Sequence, residues 1–315
     1  MIEEMNNQGI MLTVRTIAYN QEHYIRDCLE GIVKQQTSFK FEAIVHDDCS
    51  TDHTADIIRE YAKKYPDIIK PIYEEENQYS MGVNSQMNTK MNAFTHGKYI
   101  ALCEGDDYWT DPTKLQRQVD FLEAHPDYSM CFHNAKLDNP KHVRTNFLVG
   151  KVEDKDYTGR YLFEHWMVPT ASIVCRRNCM DMYFSIKHKE NMINGDIVWI
   201  LCCCRLGKVR GMVRTMSAYR IHDDSMMHNS PSLRCRTLML PKHNEFLAYN
   251  FPEIKGEIYW VYQSIAYYDR SKLERGNDMI KDLLKSAKCS PKTLSKVLIL
   301  RYTPKRILSF FHHQH

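Results

Sequence analysis

Over residues 10–122, short apolar runs alternate with longer stretches whose apolar residues recur at helical spacing. Residues 10–16, 41–45, 68–73 and 98–103 read as strands rich in β-branched and aromatic side chains. Between them, residues 22–34 put Ile25, Cys28, Leu29, Ile32 and Val33 on one helical face. Residues 54–64 and 85–96 also read as helices, the second stopped by Gly97. A further helix follows Pro112, with Leu115, Val119 and Leu122 in register and Asp111 expected as its N-cap. This β-α-β-α-β-α-β order predicts an α/β fold, a mostly parallel sheet flanked by helices.

Beyond Pro126 the periodicity weakens. Strands are expected at residues 128–133, 170–175 and 209–216, and a helix from Asp196 to Gly207. From about Pro231 the pattern is helical to the end, so the expected division is an α/β domain over residues 1–225 and a C-terminal helical extension over 226–315.

Composition changes this picture little. A hydrophobic fraction of 43% and a charged fraction of 26% are those of an ordinary globular chain. A net charge of +3 is too small to argue for nucleic acid, and no nucleic-acid signature is present. The eleven cysteines are scattered, with no pair of Cys-x-x-Cys motifs, which argues against a zinc site. Cys28, Cys103 and Cys131 lie in apolar patterns and are expected to be core thiols. The first eight residues are polar and nowhere do 18 apolar residues run together, so the expected compartment is the reducing cytoplasm.

The candidate chemistry lies where strands end. The apolar run at 98–103 leads into Glu104-Gly105-Asp106-Asp107, and the run at 41–45 into His46-Asp47-Asp48. Open α/β sheets bind ligands at this rim. Carboxylates so close repel one another, and a divalent cation, Mg²⁺ or Mn²⁺, relieves the repulsion; a merely solvated acidic turn is the alternative. No Gly-x-Gly-x-x-Gly and no phosphate loop follows the first strand, where Ala18-Tyr19-Asn20 stands instead.

Several segments in this order carry a resemblance. They are Thr16-x-x-Tyr19-Asn20, Asp47-Asp48-x-Ser50-Thr51-Asp52, and Gly97-Lys98-Tyr99 leading into Glu104-x-Asp106-Asp107. Asp196 and Tyr219-Arg220-x-His222 complete the set. Over residues 10–222 the chain resembles the family 2 inverting nucleotide-sugar glycosyltransferases, of GT-A fold. The resemblance implies Asp47 as acceptor for the uracil imide, against the alternative of a helix cap. It implies Thr16, Tyr19 and Asn20 near the base, with Asn20 equally readable as a turn residue. Ser50-Thr51-Asp52 is expected to supply a helix N-cap. Glu104, in place of the family's first Asp, with Asp106, Asp107 and His222 is implied as the metal set. Lys90 and Arg220 would face the nucleotide; an exposed helix lysine and an acid-paired arginine are the alternatives.

Asp196 matches the family's catalytic base, although Gly195 stands where relatives carry Glu, and a helix cap is the rival role. The reaction so implied moves a sugar, with inversion, from a nucleotide diphosphate sugar, expected to be a UDP-sugar, to an acceptor hydroxyl of a glycan or lipid-linked glycan. A catalytically silent nucleotide-sugar binding module, and a retaining or nucleotidyl transferase, remain as alternatives. Residues 290–311 carry five basic residues and no acid among apolar and aromatic ones. They are readable either as a peripheral contact with an anionic membrane or as a packing helix.

Overall fold

The structure is a computed structural model that describes residues 9–78, 84–139, 148–222 and 230–293. The chain divides into two compact units, Met1–Ser185 with Trp199–His222, and Ile186–Val198 with Asp223–His315.

The first unit is built on a nine-stranded sheet. Its first half comprises β1 (Ile10–Ala18), β2 (Lys40–Asp47), β3 (Ile69–Tyr73) and β4 (Tyr99–Leu102). Helices α1 (Ile25–Val33), α2 (Thr54–Lys64) and α3 (Asn84–Ala93) connect them. The strand order β3-β2-β1-β4 is parallel throughout, with Ala18 opposite Asp47 and Arg15 opposite Leu102. The C-terminal ends of β1, β2 and β4 therefore share one rim. Leu12 and Val14 of β1, Ile25, Leu29 and Ile32 of α1 and Ile58 of α2 are fully buried in one cluster. Each such side chain contributes about 1.5–3 kcal/mol.

The second half holds β5 (Tyr108–Trp109), α4 (Lys114–Ala124), β6 (Tyr128–Asp138), β7 (Asp156–Tyr157) and α5 (Gly159–His165). It continues through β8 (Val174–Arg176), α6 (Arg177–Ser185), α7 (Gly195–Leu206), whose residues from Trp199 on belong to this unit, and β9 (Lys208–Arg220). The sheet continues β4-β8-β6-β9-β5, with β7 beside β9. β6 and β9 form a long parallel ladder; the antiparallel pairings of β8, β5 and β7 are short. The expected mostly parallel sheet is observed.

Two local expectations need correction. The helix after Pro112 begins at Lys114, with Thr113 at its N-cap. Asp111 instead closes the turn before it, accepting from Thr113 N at 2.8 Å and Thr113 Oγ1 at 2.7 Å, while Arg214 Nε of β9 donates to its other oxygen at 2.6 Å. Residues 170–172 form a 3₁₀ turn, leaving only Val174–Arg176 as strand. Side chains claim the carbonyls a ladder would use: Trp109 Nε1 donates to Ala171 O and Gln118 Nε2 to Ser172 O.

The second unit packs α8 (Ser230–Asn250), α9 (Glu257–Ser271) and α10 (Gly276–Cys289). Ser264 and Ser286 each donate to the other's carbonyl, at 3.0 and 2.9 Å, so α9 and α10 approach closely. Arg270 grips Asp282 with two nitrogens. Among the described residues no helix is long and apolar enough to cross a membrane. Of the basic segment 290–311, residues from 294 on lie outside the described ones.

Candidate active site

The rim is assembled by loops tied to each other. Asn20, at φ 50°, donates its backbone N–H to Ser50 Oγ (3.0 Å) and accepts from Thr51 N (2.8 Å). Glu22 N donates to Asp52 Oδ2 (3.0 Å) and His53 N to Glu22 Oε2 (3.0 Å). Asp52 Oδ1 also takes Thr54 N at 2.9 Å, so it satisfies an orphan N–H of α2 from one residue before the formal N-cap, His53. Asn20 is thus a turn residue by its contacts, and Tyr19 beside it is exposed.

Asp47 ends β2 and is buried. Its Oδ2 accepts from Ser50 N at 3.3 Å; its Oδ1 is buried without a hydrogen bond. Thr16, buried on β1, has an Oγ1 in the same condition. Such groups are costly unless an ordered water or a ligand completes them. The neighbouring Asp48 is spoken for, with Oδ1 accepting from Gln78 N at 2.8 Å. Lys90 does not stand free: its Nζ bonds Glu74 Oε2 at 2.8 Å, and Glu74 Oε1 meets His46 Nε2 at 3.0 Å.

The acidic turn after β4 has its own logic. Gly105 N donates to Ile17 O at 3.0 Å, tying the turn to β1. A Cβ at Gly105 would meet Gln21 Oε1 and press on Ile25 and Ala18, so a larger residue would have to displace the Gln21 side chain. Glu104 is exposed, Asp106 half-buried and Asp107 buried. Asp107 Oδ1 accepts from Arg220 N at 2.9 Å, whereas Oδ2 is buried without a hydrogen bond. Burial first, then the charges of Asp106 and Glu104, push the Asp107 carboxyl well above the usual carboxylate range, against the pull of Arg220.

β9 brings the last members. His222 Nε2 lies 3.1 Å from Asp106 Oδ2, and the buried Nδ1 has no hydrogen bond. Arg220 is clamped by Asp27 Oδ2 (2.7 Å) and Asp138 Oδ2 (3.5 Å), donates to Asp106 O (3.1 Å), and lies over the rings of Tyr24 and Tyr108. Tyr24 also packs on His222, ring centroids 4.4 Å apart. Asp27, Asp138, Tyr24 and Tyr108 frame the site without any motif of their own in the sequence, since they are recruited from the start of α1, from β6 and from β5.

The chemistry of these donors fits a divalent cation bound together with a diphosphate. Asp106 and His222 already offer an oxygen and a nitrogen side by side. Glu104, Asp106, Asp107 and His222 do not bring three ligand atoms within 4.8 Å of one another; among the described residues only Cys175, Cys179 and Cys203 do so. An incomplete protein set is what an ion shared with substrate phosphates requires.

Asp196 belongs to the second unit. It is the second residue of α7, inside the first turn and not at the cap position. Burial raises its carboxyl above the ordinary value, against the backbone N–H of Ile197 and the charge of Arg236. Arg236 is held by Asn194 Oδ1 at 2.5 Å.

Comparison with known proteins places the chain in a family. The sequence profile described as Glycosyl transferase family 2 matches residues 13–182. An uncharacterised protein of Mycobacterium tuberculosis is 34% identical over 230 residues, covering 70% of this chain and 61% of the relative. The chain thus spans less than two thirds of that relative's length. Among solved structures, S. aureus TarS 1-349 in complex with UDP superposes with a TM-score of 0.58 at 16% identity, covering 90% of this chain and 82% of that one. The mannosyltransferase PcManGT of Pyrobaculum calidifontis, in complex with GDP-Man and Mn²⁺, reaches 0.56 at 13% identity, covering 98% and 81%. These two share the fold, the GT-A mixed sheet. The chain belongs to glycosyl transferase family 2.

Proposed function

We propose that the chain is an inverting, metal-dependent glycosyltransferase that uses a UDP-sugar and serves polysaccharide or glycan synthesis, from the cytoplasmic side. The observation that carries the reading is the pairing of Asp106 with His222 at 3.1 Å, on the same sheet rim as Asp47 with its unpartnered Oδ1. TarS with UDP and PcManGT with GDP-Man and Mn²⁺ support a nucleotide donor and a divalent ion.

In this reading Asp47 accepts the imide N–H of uracil, a donor set between two carbonyls. Thr16 and Tyr19 lie near the base, and Asn20 shapes the loop that holds it. Asp106 and His222, with Asp107 and Glu104 of the same acidic turn, would hold Mn²⁺ or Mg²⁺, and His222 would favour Mn²⁺. The bound ion supplies Lewis-acid neutralisation of charge on the leaving diphosphate. Arg220, fixed by two carboxylates, adds a positive charge at the same rim; Lys90 would reach a nucleotide only by leaving Glu74. Asp196 removes the proton from the acceptor hydroxyl as it attacks the anomeric carbon. Burial raises its proton affinity, which makes it a stronger base than an exposed carboxylate.

We assign residues 1–225 to donor binding and catalysis and 226–315 to the helical region. The acceptor is taken to be a glycan or lipid-linked glycan, with residues 290–311 in peripheral contact with the membrane. UDP release from UDP-sugars, with and without acceptor, tests the core of this reading, together with UDP calorimetry in Mn²⁺, Mg²⁺ and chelator. Turnover with acceptor and cation-dependent UDP binding are expected. UDP binding without any turnover would leave a silent binding module, and equal UDP affinity in chelator would remove the metal.

A further inference from the structure

We propose that Cys175, Cys179 and Cys203 form a buried thiolate site for a thiophilic d¹⁰ cation, Zn²⁺ or Cu⁺. The three come from different elements of the first unit, β8, α6 and α7. Their sulfur atoms all lie within 4.8 Å of one another, and all three residues are fully buried. None belongs to the nucleotide rim, whose oxygen-rich donors suit a harder ion.

Two neighbours fit a charged sulfur cluster better than a set of neutral thiols. Trp199 Nε1 donates to Cys175 Sγ at 3.3 Å, the kind of outer hydrogen bond that steadies a metal-bound thiolate. Arg15, a residue of β1, is buried, and among the described residues it bonds Thr95 Oγ1, Met180 Sδ and Asn88 Oδ1 but no carboxylate. Met180 follows Cys179 directly, and Arg15 lies close enough to Cys175 for their charges to interact. Three thiolates on Zn²⁺ leave one net negative charge, which Arg15 matches; on Cu⁺ they leave two. Donor number works the other way, since three sulfurs satisfy Cu⁺ whereas Zn²⁺ takes a fourth ligand. The spacing Cys175-x₃-Cys179 is not a zinc-ribbon signature, and Cys203 is remote in sequence, so only the fold unites them. Because the cluster is closed to solvent, the ion would enter during folding and fasten α6 and α7 to β8.

The test uses the full, untagged chain, kept reduced and produced in cells supplied with Zn²⁺ or with copper. Native mass spectrometry counts the ions, and X-ray absorption at the metal edge reads the neighbours of the bound ion. One ion per chain with a sulfur-dominated shell is expected, and its identity separates Zn²⁺ from Cu⁺. Cys179→Ser and Cys203→Ser should reduce the count from one to none, while Cys28→Ser, a buried thiol elsewhere in the core, should keep one. Should the variants not fold, the wild-type absorption spectrum still decides. A folded, reduced chain that holds neither ion, a disulfide among the three cysteines, or a shell of nitrogen and oxygen would each overturn the proposal.

Discussion

Asp47→Asn is the sharpest test of the nucleotide reading, because the two oxygens of Asp47 have different employment. Oδ2 accepts one long bond from Ser50 N at 3.3 Å, and Oδ1 is buried with none. The amide can keep its oxygen on Ser50 N and turn its NH₂ to where Oδ1 stood. The loop should survive, since Asn20 holds Ser50 and Thr51 independently and Glu22 is bonded to Asp52 and His53. With UDP the variant opposes two donors, its NH₂ and the imide N–H. A hydrogen bond to a charged acceptor is worth about 1.5–3 kcal/mol, so UDP affinity should fall about 10–150-fold. Cytosine carries an acceptor at the same ring position, so CDP should weaken far less, or bind better than to the wild type. Calorimetry of UDP and CDP with Mn²⁺, on both proteins, reads the ratio. Equal weakening of the two nucleotides would mean loop damage, and unchanged UDP affinity would move the base away from Asp47; either result refutes the assignment.

Asp196→Asn should leave UDP affinity intact while turnover with acceptor falls by about 10²-fold or more; near-normal turnover would send the base elsewhere. His222→Ala should abolish a preference for Mn²⁺ over Mg²⁺ in UDP calorimetry, and a preference that persists removes the imidazole from the ion. Lys114 is fully buried, its Nζ has no hydrogen bond and sits 4.1 Å from the Trp109 ring, and burial lowers its ammonium to about 7. The unfolded chain therefore binds the extra proton between about pH 7 and the ordinary lysine value, and wild-type stability gains from rising pH across that window. Lys114→Met should stabilise by about 1–3 kcal/mol at pH 7 and below, a gain that shrinks towards pH 10; denaturant melts showing a pH-independent difference would contradict this. Cutting the chain after Cys289 should abolish co-sedimentation with anionic vesicles, and binding that the cut leaves unchanged would end the membrane proposal.

How much could be read beforehand followed from the range of the forces involved. β1, β2 and β4 are largely buried and announce themselves as short runs rich in apolar and β-branched residues, and α1, α2 and α4 carry a clear buried stripe. β5 and β7 have two residues each and α5 has seven, too few for any period to register. The turn at 170–172 depends on Trp109 and Gln118, far away in the chain. The family resemblance implied that Asp106 and His222 belong together, and the fold brings them to 3.1 Å. It could not reveal that Glu74 holds Lys90, that Asp27 and Asp138 hold Arg220, or that three cysteines converge. The excursion of Ile186–Val198 into the second unit is likewise decided by distant contacts, not by local pattern.

Acidity by itself would have been a poor guide to the site, because the first unit is crowded with carboxylates that are already occupied. Asp52 serves Glu22 N and Thr54 N, Asp111 serves Thr113 and Arg214, and Asp27 and Asp138 serve Arg220. Removing any of these costs structure. Asp47 and Asp107 differ in one respect: each is buried, each gives one oxygen to a backbone N–H, and each keeps the other oxygen unbonded. A folding chain has little to gain from such an arrangement, since a buried acceptor left unmade costs about 1–3 kcal/mol. A bound imide at Asp47 and a cation near Asp107 would remove both costs. In the proposed reading it is these two unmade carboxylate bonds, more than the acids themselves, that the ligand completes.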